Sequence, residues 1–330
     1  MSGPGVRSFP VATVSVSLLA LILLSSCGSA PKETPKTRVA GILFQEDQFF
    51  RMVELGMRDA AAKNGVELMV GNSFGAIDKE ISLVDSYVAG GVSAVVISPL
   101  SRKASVPALE RAAARGIKVV SYNTTADTPA LSCTIESDQA DLGASTGKAV
   151  CAYAAARLNG KAKIALIEFM SQAPEQAGMR IDGFKSAIRD VPGIEVVAEQ
   201  DAWLVQQAAE VVEQIVTAHP DLDIVWAANE GGTVGAVIAV KNTGRAGKIA
   251  VFGTDMSAQL GEFLLSDDGI LQAVTGQQPF EIGSLAVGSA ARLIRGDAVD
   301  RSVSLPGILY KREKPDAVSR YLSMLKQHGL

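Results

Sequence analysis

Histidine and cysteine are nearly missing from this chain of 330 residues, which holds only His219 and His328 and three thiols, Cys27, Cys133 and Cys151. That scarcity leaves little for a zinc site or for Cys/His nucleophilic chemistry. No H-E-x-x-H, G-x-S-x-G or C-x-x-C occurs either, so a hydrolase or dehydrogenase is disfavoured and no catalytic residue, metal or cofactor is expected. Cationic charge is not in excess: 31 Lys and Arg against 35 Asp and Glu give a net charge of −4. A nucleic-acid partner needs clustered basic residues, and none is expected here. Aromatic residues are only 5% of the chain. Long apolar runs are absent beyond the first 24 residues. What remains, 48% hydrophobic and 20% charged, is the composition of a globular protein.

The N-terminal run is the exception. Arg7 precedes FPVATVSVSLLALILL (9–24), an uncharged segment too short for a spanning helix and suited to the apolar core of an export signal. Its end, Leu24-Ser25-Ser26-Cys27-Gly28, resembles a bacterial lipobox. The resemblance implies a signal peptide over 1–26, lipidation of Cys27, and a polar tether over 27–37. The protein is then exported and held at the cell membrane by acyl chains, on the periplasmic or cell-surface side. Export permits a disulfide, but Cys151 falls inside a helix expected over 138–157, and two buried free thiols are the simpler expectation.

From residue 38 the pattern alternates. Apolar runs VAGIL (39–43), VELMV (66–70), AVVIS (94–98) and IKVVSY (117–122) are separated by amphipathic stretches such as FFRMVELGMRDAAAKNG. A second series follows: KIALIEF (163–169), IEVVAE (194–199), DIVWAA (223–228), KIAVFGTD (248–255) and ILQAVTG (270–276). Continuous apolar strands with helices between them predict parallel sheets covered on both faces. The fold class is α/β, two doubly wound lobes joined around TIESDQADLG (134–143). Ligands in such sheets bind beyond the carboxyl ends of the strands, so a cleft between the lobes is the expected site. GASTGK (143–148) is one residue short of a phosphate loop and EGGTVGA (230–236) lacks a true G-x-G-x-x-G; both read as small residues packing helices closely.

The residues just past each strand then matter most. FQEDQFF (44–50) gathers three phenylalanines around Asp47 at the end of the first strand. Phe44 reads as core, whereas Phe49 and Phe50 read as rings facing a ligand with Asp47 accepting beside them. Asn123 and Thr124 follow the fourth strand. Arg180 lies near a helix start, Trp203 follows IEVVAEQDA, Asn229 and Glu230 follow DIVWAA, and Asp255 and Gln277 follow the last two strands. Trp226, within an apolar strand, reads as core. Capping of neighbouring helices is the plainer alternative for Asp255 and Asn229. Aromatic rings with amides, carboxylates and a guanidinium suit a neutral polyhydroxylated molecule, whose C–H faces stack and whose hydroxyls both donate and accept.

From residue 38 to about 310 the chain resembles the periplasmic sugar-binding proteins of bacterial ABC transporters, the group with ribose- and galactose/glucose-binding proteins. TAHPDLDIVWAANE (217–230), FGTDM (252–256), R-x-x-GF (180–184) and Q-x-P-F-E-I-G (277–283) carry the resemblance. It implies a two-lobed hinge protein of the type I periplasmic-binding fold, with an N-terminal lobe of 38–136 plus 278–304 and a C-terminal lobe of 137–277 plus 305–330. It also implies ligand contacts at Asp47, Phe49, Phe50, Asn123, Arg180, Trp203, Asn229, Asp255 and Gln277. The partners implied are a monosaccharide and ABC permease subunits, with the binding protein a monomer. Asp47, Asn123 and Trp203 match hexose binders and Gln277 the ribose type; a pyranose hexose is favoured. Pentoses, sugar alcohols, an autoinducer or a nucleoside are alternatives, as is a signalling or chemotaxis receptor on the same scaffold. YKREKPDAVSRYLSMLKQHGL, after 309, reads as a polar connection and a terminal helix from about 315 that packs on the second lobe.

Overall fold

The computed structural model describes residues 1–10 and 37–330, and the lipobox, Cys27 and most of the tether lie outside the described residues. From Arg38 onward strands and helices alternate, except at two places where one strand follows another directly. The first sheet contains β1 (Arg38–Leu43), β2 (Glu67–Asn72), β3 (Ala94–Ile97), β4 (Lys118–Tyr122), β5 (Leu131–Ser137) and β11 (Ser302–Leu305). Their order is β11-β5-β4-β3-β1-β2 and every pairing is parallel. The second sheet holds β6 (Ala162–Glu168), β7 (Ile194–Asp201), β8 (Ile224–Ala227), β9 (Ala250–Thr254), β10 (Leu271–Gly276) and β12 (Ile308–Lys311), in the order β12-β10-β9-β8-β6-β7. The expected pair of doubly wound lobes is therefore present, with one departure from parallel pairing: β12 runs antiparallel to β10.

Each sheet is apolar on both faces, which is why its strands read as unbroken hydrophobic runs. In β1, Val39 and Leu43 join the core with α1 (Gln48–Asn64) and α9 (Pro279–Arg295), while Ala40 and Ile42 face α2 (Ile77–Ala89) and α3 (Val106–Ala114). In β8, Val225 and Ala227 face α6 (Val205–Ala218) and α7 (Glu230–Asn242). Ile224 and Trp226 on the other side meet α4 (Gln139–Arg157) and α5 (Pro174–Ile188). Trp226 is fully buried and stacks on Phe184 with ring centroids 4.1 Å apart, the core role its strand context implied.

The chain passes between the sheets from β5 to α4, from β10 to α9, and from β11 to β12. Two helices of the second lobe, α8 (Ala258–Leu265) and α10 (Pro315–Gln327), pack on each other. Cys133 and Cys151 are free thiols, the first buried and the second half-buried. Among the described residues no helix is long and apolar enough to cross a membrane.

Candidate functional site

Between the carboxyl ends of the two sheets lies a cavity of about 830 Å³, within the size range of small-molecule sites. All nine residues expected at a ligand from the sequence line it: Asp47, Phe49, Phe50 and Asn123 from the first lobe, Arg180, Trp203, Asn229 and Asp255 from the second, and Gln277 beside a crossing between them.

In the first lobe the α1 N-terminus sets the geometry. Asp47 is the N-cap: its Oδ1 accepts from the Phe50 amide at 2.9 Å and Oδ2 accepts from Gln45 Nε2 at 2.7 Å. Capping thus fixes a carboxylate at the cavity wall while leaving lone pairs for a further donor. The aromatic cluster is tight, with Phe50 4.5 Å from Phe44, 5.1 Å from Phe49 and 6.4 Å from Tyr122 between ring centroids. Phe50 is only 2% exposed and belongs to the lobe core, so it backs the wall; Phe49, half-buried, carries more open ring surface. Asn123 closes β4 with φ 59°, in the left-handed region that Asn tolerates better than most residues. Its amide nitrogen Nδ2 donates to Ser98 Oγ at 3.3 Å. Thr124, also on the cavity wall, uses its hydroxyl in a structural bond, donating to the Pro99 carbonyl at 2.8 Å.

The second lobe is organised around Arg180, whose side chain is 3% exposed. The small residues of GASTGK explain its placement, and they pack helices as read from the sequence: a Cβ on Gly143 would stand 1.9 Å from the Arg180 carbonyl oxygen, so α4 and α5 touch backbone to backbone. Arg180 Nε donates to Gln139 Oε1, and Nη1 donates to the Ala228 carbonyl and to Asp255 Oδ2, each at 2.7 Å. The guanidinium also lies 5.1 Å from the Phe169 ring centroid. These bonds use Nε and Nη1; Nη2 is the nitrogen left to a ligand.

Asp255 follows β9 with φ 68°. Its second oxygen, Oδ1, accepts from Gln277 Nε2 at 2.8 Å, and Gln277 Oε1 accepts from Ser137 Oγ of β5 at 2.7 Å. Asp255 does not cap α8, because Ser257 does that. Asn229, by contrast, is the N-cap of α7, accepting from the Gly232 amide at 3.1 Å, and its Nδ2 donates to the Trp203 carbonyl at 3.0 Å. Its amide therefore both caps a helix and holds the loop of Trp203. EGGTVGA opens this helix as close packing, not as a phosphate loop: a Cβ on Gly231 would come within 2.3 Å of the Trp203 carbonyl oxygen. The half-buried Trp203 ring packs beside the core of Phe169 and Ala228.

Several lining residues were not singled out from sequence: Gln48, Glu136, Gln139, Phe169, Met179 and Tyr321. Phe169 directly follows β6, and the strand-end rule that found the others reaches it too. Tyr321 comes from α10 and carries no such signal. Glu230 is exposed where it opens onto the cavity, and the protein packed around it raises its carboxyl above the usual range by desolvation, against a Ser257 hydrogen bond, with Asp255 and Asp47 adding to the rise. Burial likewise raises Glu136. Hydrogen bonds span the mouth, from Arg102 Nη1 to Glu175 Oε2 at 2.8 Å and from Gln176 Nε2 to the Asn123 carbonyl at 3.2 Å, so the lobes are drawn together here. Among the described residues no His, Cys, Asp and Glu cluster of metal-binding geometry occurs.

Two parallel sheets opposed across a polar, ring-walled cavity define a class of binding proteins, and the sequence agrees: residues 42–298 match the family model of the periplasmic binding protein domain. The chain belongs to this family, whose members here are binding proteins and not enzymes. It is 30% identical over 303 residues to the ABC transporter periplasmic-binding protein YphF of Escherichia coli (strain K12), covering 89% of this chain and 92% of the relative. It is 29% identical to the ribose import binding protein RbsB of Bacillus subtilis (strain 168), covering 89% and 96%. Among solved structures, an ABC transporter periplasmic solute binding protein from Actinobacillus succinogenes 130z with bound D-allose superposes with a TM-score of 0.76 at 25% identity, covering 86% of this chain and all of the other (100%).

Proposed function

We propose that this protein captures a monosaccharide, with a pyranose hexose favoured, in the interlobe cleft and delivers it to the permease of an ABC importer. The observation that carries the reading is the pairing of aromatic and polar groups from opposite lobes on one cavity: Phe49 and Asp47 on one side, Trp203, Arg180 and Asp255 on the other. Sugar C–H faces stack on the two rings. Hydroxyls donate to Asp47 and Asp255, accept from Arg180 Nη2, and do both with the amides of Asn123, Asn229 and Gln277. Hydrogen bonds to charged groups contribute about 1.5–3 kcal/mol each, so a few of them with stacking reach the roughly −8 kcal/mol of a micromolar complex. Closure follows from tighter binding by the shut form, which needs both lobes in contact with the sugar.

Relatives support the hexose and pentose range, one being a ribose import binding protein and another a structure holding D-allose. Their transporter titles support export to the periplasmic side and a permease partner. Cys27 as a lipid anchor and a monomeric state complete the reading. Calorimetry and thermal shift with D-allose, D-glucose, D-galactose, D-ribose, L-arabinose and myo-inositol test it. One sugar is expected to bind in the micromolar range or tighter, and silence across the panel would end the proposal. Mass spectrometry of the membrane fraction tests the anchor, with a diacylglyceryl adduct on Cys27 expected.

A further inference from the structure

The C-terminal helix does more than cover the second lobe. It seats Val318 and Leu325 in the lobe and lays Leu322 against Gly261 of α8. On the same side, Tyr321 reaches the ligand cavity. Its ring rests 5.3 Å from that of Tyr310 on β12. Its hydroxyl donates to the Met256 carbonyl at 2.9 Å and accepts from Gln48 Nε2 at 2.9 Å. Gln48 in turn uses Oε1 to accept from the amide of Ala258, the first residue of α8, at 3.1 Å.

Gln48 is thus gripped at both ends of its amide by the second lobe, at residues that flank Met256, the neighbour of Asp255. On its own lobe it sits between Asp47 and Phe49, the two groups that face a ligand. Burial raises the Tyr321 hydroxyl well above its ordinary value, with Tyr310 and Glu230 adding to the rise, so it stays a neutral donor and acceptor. The clasp on the other rim is of a different kind. Arg102 and Glu175 are 47% and 64% exposed, and an ion pair that open to water contributes little. The half-buried Gln48–Tyr321 pair is the stronger tie between the lobes.

We propose that Tyr321 is a positioning residue of the binding site: through Gln48 it holds the Asp47–Phe49 loop over the ligand and sets how long the cleft stays shut. This rests on the sugar-binding reading of the cleft. The helix that supplies it lies beyond residue 298, where the family match ends.

Tyr321→Phe keeps the ring on Tyr310 and removes only the hydroxyl; Gln48→Ala removes the other half. On the full chain, D-allose dissociation is followed by stopped-flow tryptophan fluorescence and lobe closure by small-angle X-ray scattering with and without D-allose. Either substitution is expected to speed dissociation about five- to tenfold, with association within about twofold, and the double variant to be no faster than Gln48→Ala alone. An unchanged dissociation rate in Tyr321→Phe, or effects that multiply in the double variant, would overturn the proposal. If the wild type binds neither D-allose nor the other panel sugars, the sugar reading is what fails. Scattering of the sugar-free chains then decides the clasp alone: a wild type more compact than both variants supports it, and coincident curves overturn it.

Discussion

Asp255 and Asn123 sit at the ends of β9 and β4 with φ 68° and 59°, a region that L-residues other than Gly, Asn and Asp occupy at a cost. The bend turns each side chain off the sheet edge and into the cavity. Asp255 also neutralises Arg180, which is 3% exposed. Asp255→Ala leaves that guanidinium buried without its counter-charge and is expected to cost about 3 kcal/mol in urea unfolding. Asp255→Asn keeps the backbone preference and should cost less. Trp203→Ala is expected to weaken sugar binding by about 1 kcal/mol or more in calorimetry, from lost stacking alone. Eight of the nine cavity residues were legible because each follows a strand or opens a helix, where chain geometry delivers side chains to the edge; Arg180 lies within α5 and was legible through R-x-x-GF. What the sequence could not say is depth. Phe49 and Phe50 are neighbours, and only the packing of Phe50 on Phe44 and Tyr122 shows which of them is wall and which is surface.

Among the elements, the apolar runs declared themselves and the mixed ones did not. LSCTIES of β5 alternates buried and half-buried positions, and SVSL of β11 is half polar, so neither has the continuous hydrophobicity that marked β1 or β8. Both lie at one side of the first sheet, where less is covered. The contact of α4 with α5 is a sharper case, since any side chain at 143 must push Arg180 away. Gly143→Ala is expected to lower stability by about 1–3 kcal/mol and to weaken sugar binding with it, measured as parallel shifts in melting temperature and Kd. A second element-level test concerns Glu80 of α2, which is 1% exposed and accepts from the Leu100 amide at 2.8 Å and from Ser105 Oγ at 2.5 Å. Burial raises its carboxyl above the ordinary value despite those bonds. The folded chain therefore holds this proton more tightly than the unfolded chain. The resulting stability is complete below the unfolded pKa and is lost as pH rises through the folded one. Glu80→Gln is expected to gain on the wild type as pH rises above the ordinary carboxylate range, read as a melting-temperature difference that grows with pH.

At the scale of the molecule, three passages of chain join the lobes, and two of them are tied to the site itself. Ser137 bonds Gln277, Gln277 bonds Asp255, Asp255 bonds Arg180, and Arg180 bonds Gln139 on the start of α4. A sugar present at a hundred times its Kd stabilises the folded chain by about 2.7 kcal/mol, and this should appear as a rise in melting temperature that grows with the logarithm of sugar concentration. A rise that saturates early would mean that the unfolded chain binds the sugar as well. The two-lobed plan was legible from the double series of strands. The role of α10 was not, because nothing in its amphipathic pattern tells an outward tyrosine from one aimed at a cavity.

That loop of side chains has a mechanical side. In the proposed binding mode the carboxylate that greets the guest is also a rivet between both pivots, so an arriving hydroxyl tugs on the same atoms about which the halves swing. Occupancy and posture are then one event, and no separate messenger has to carry news of the guest to the hinge.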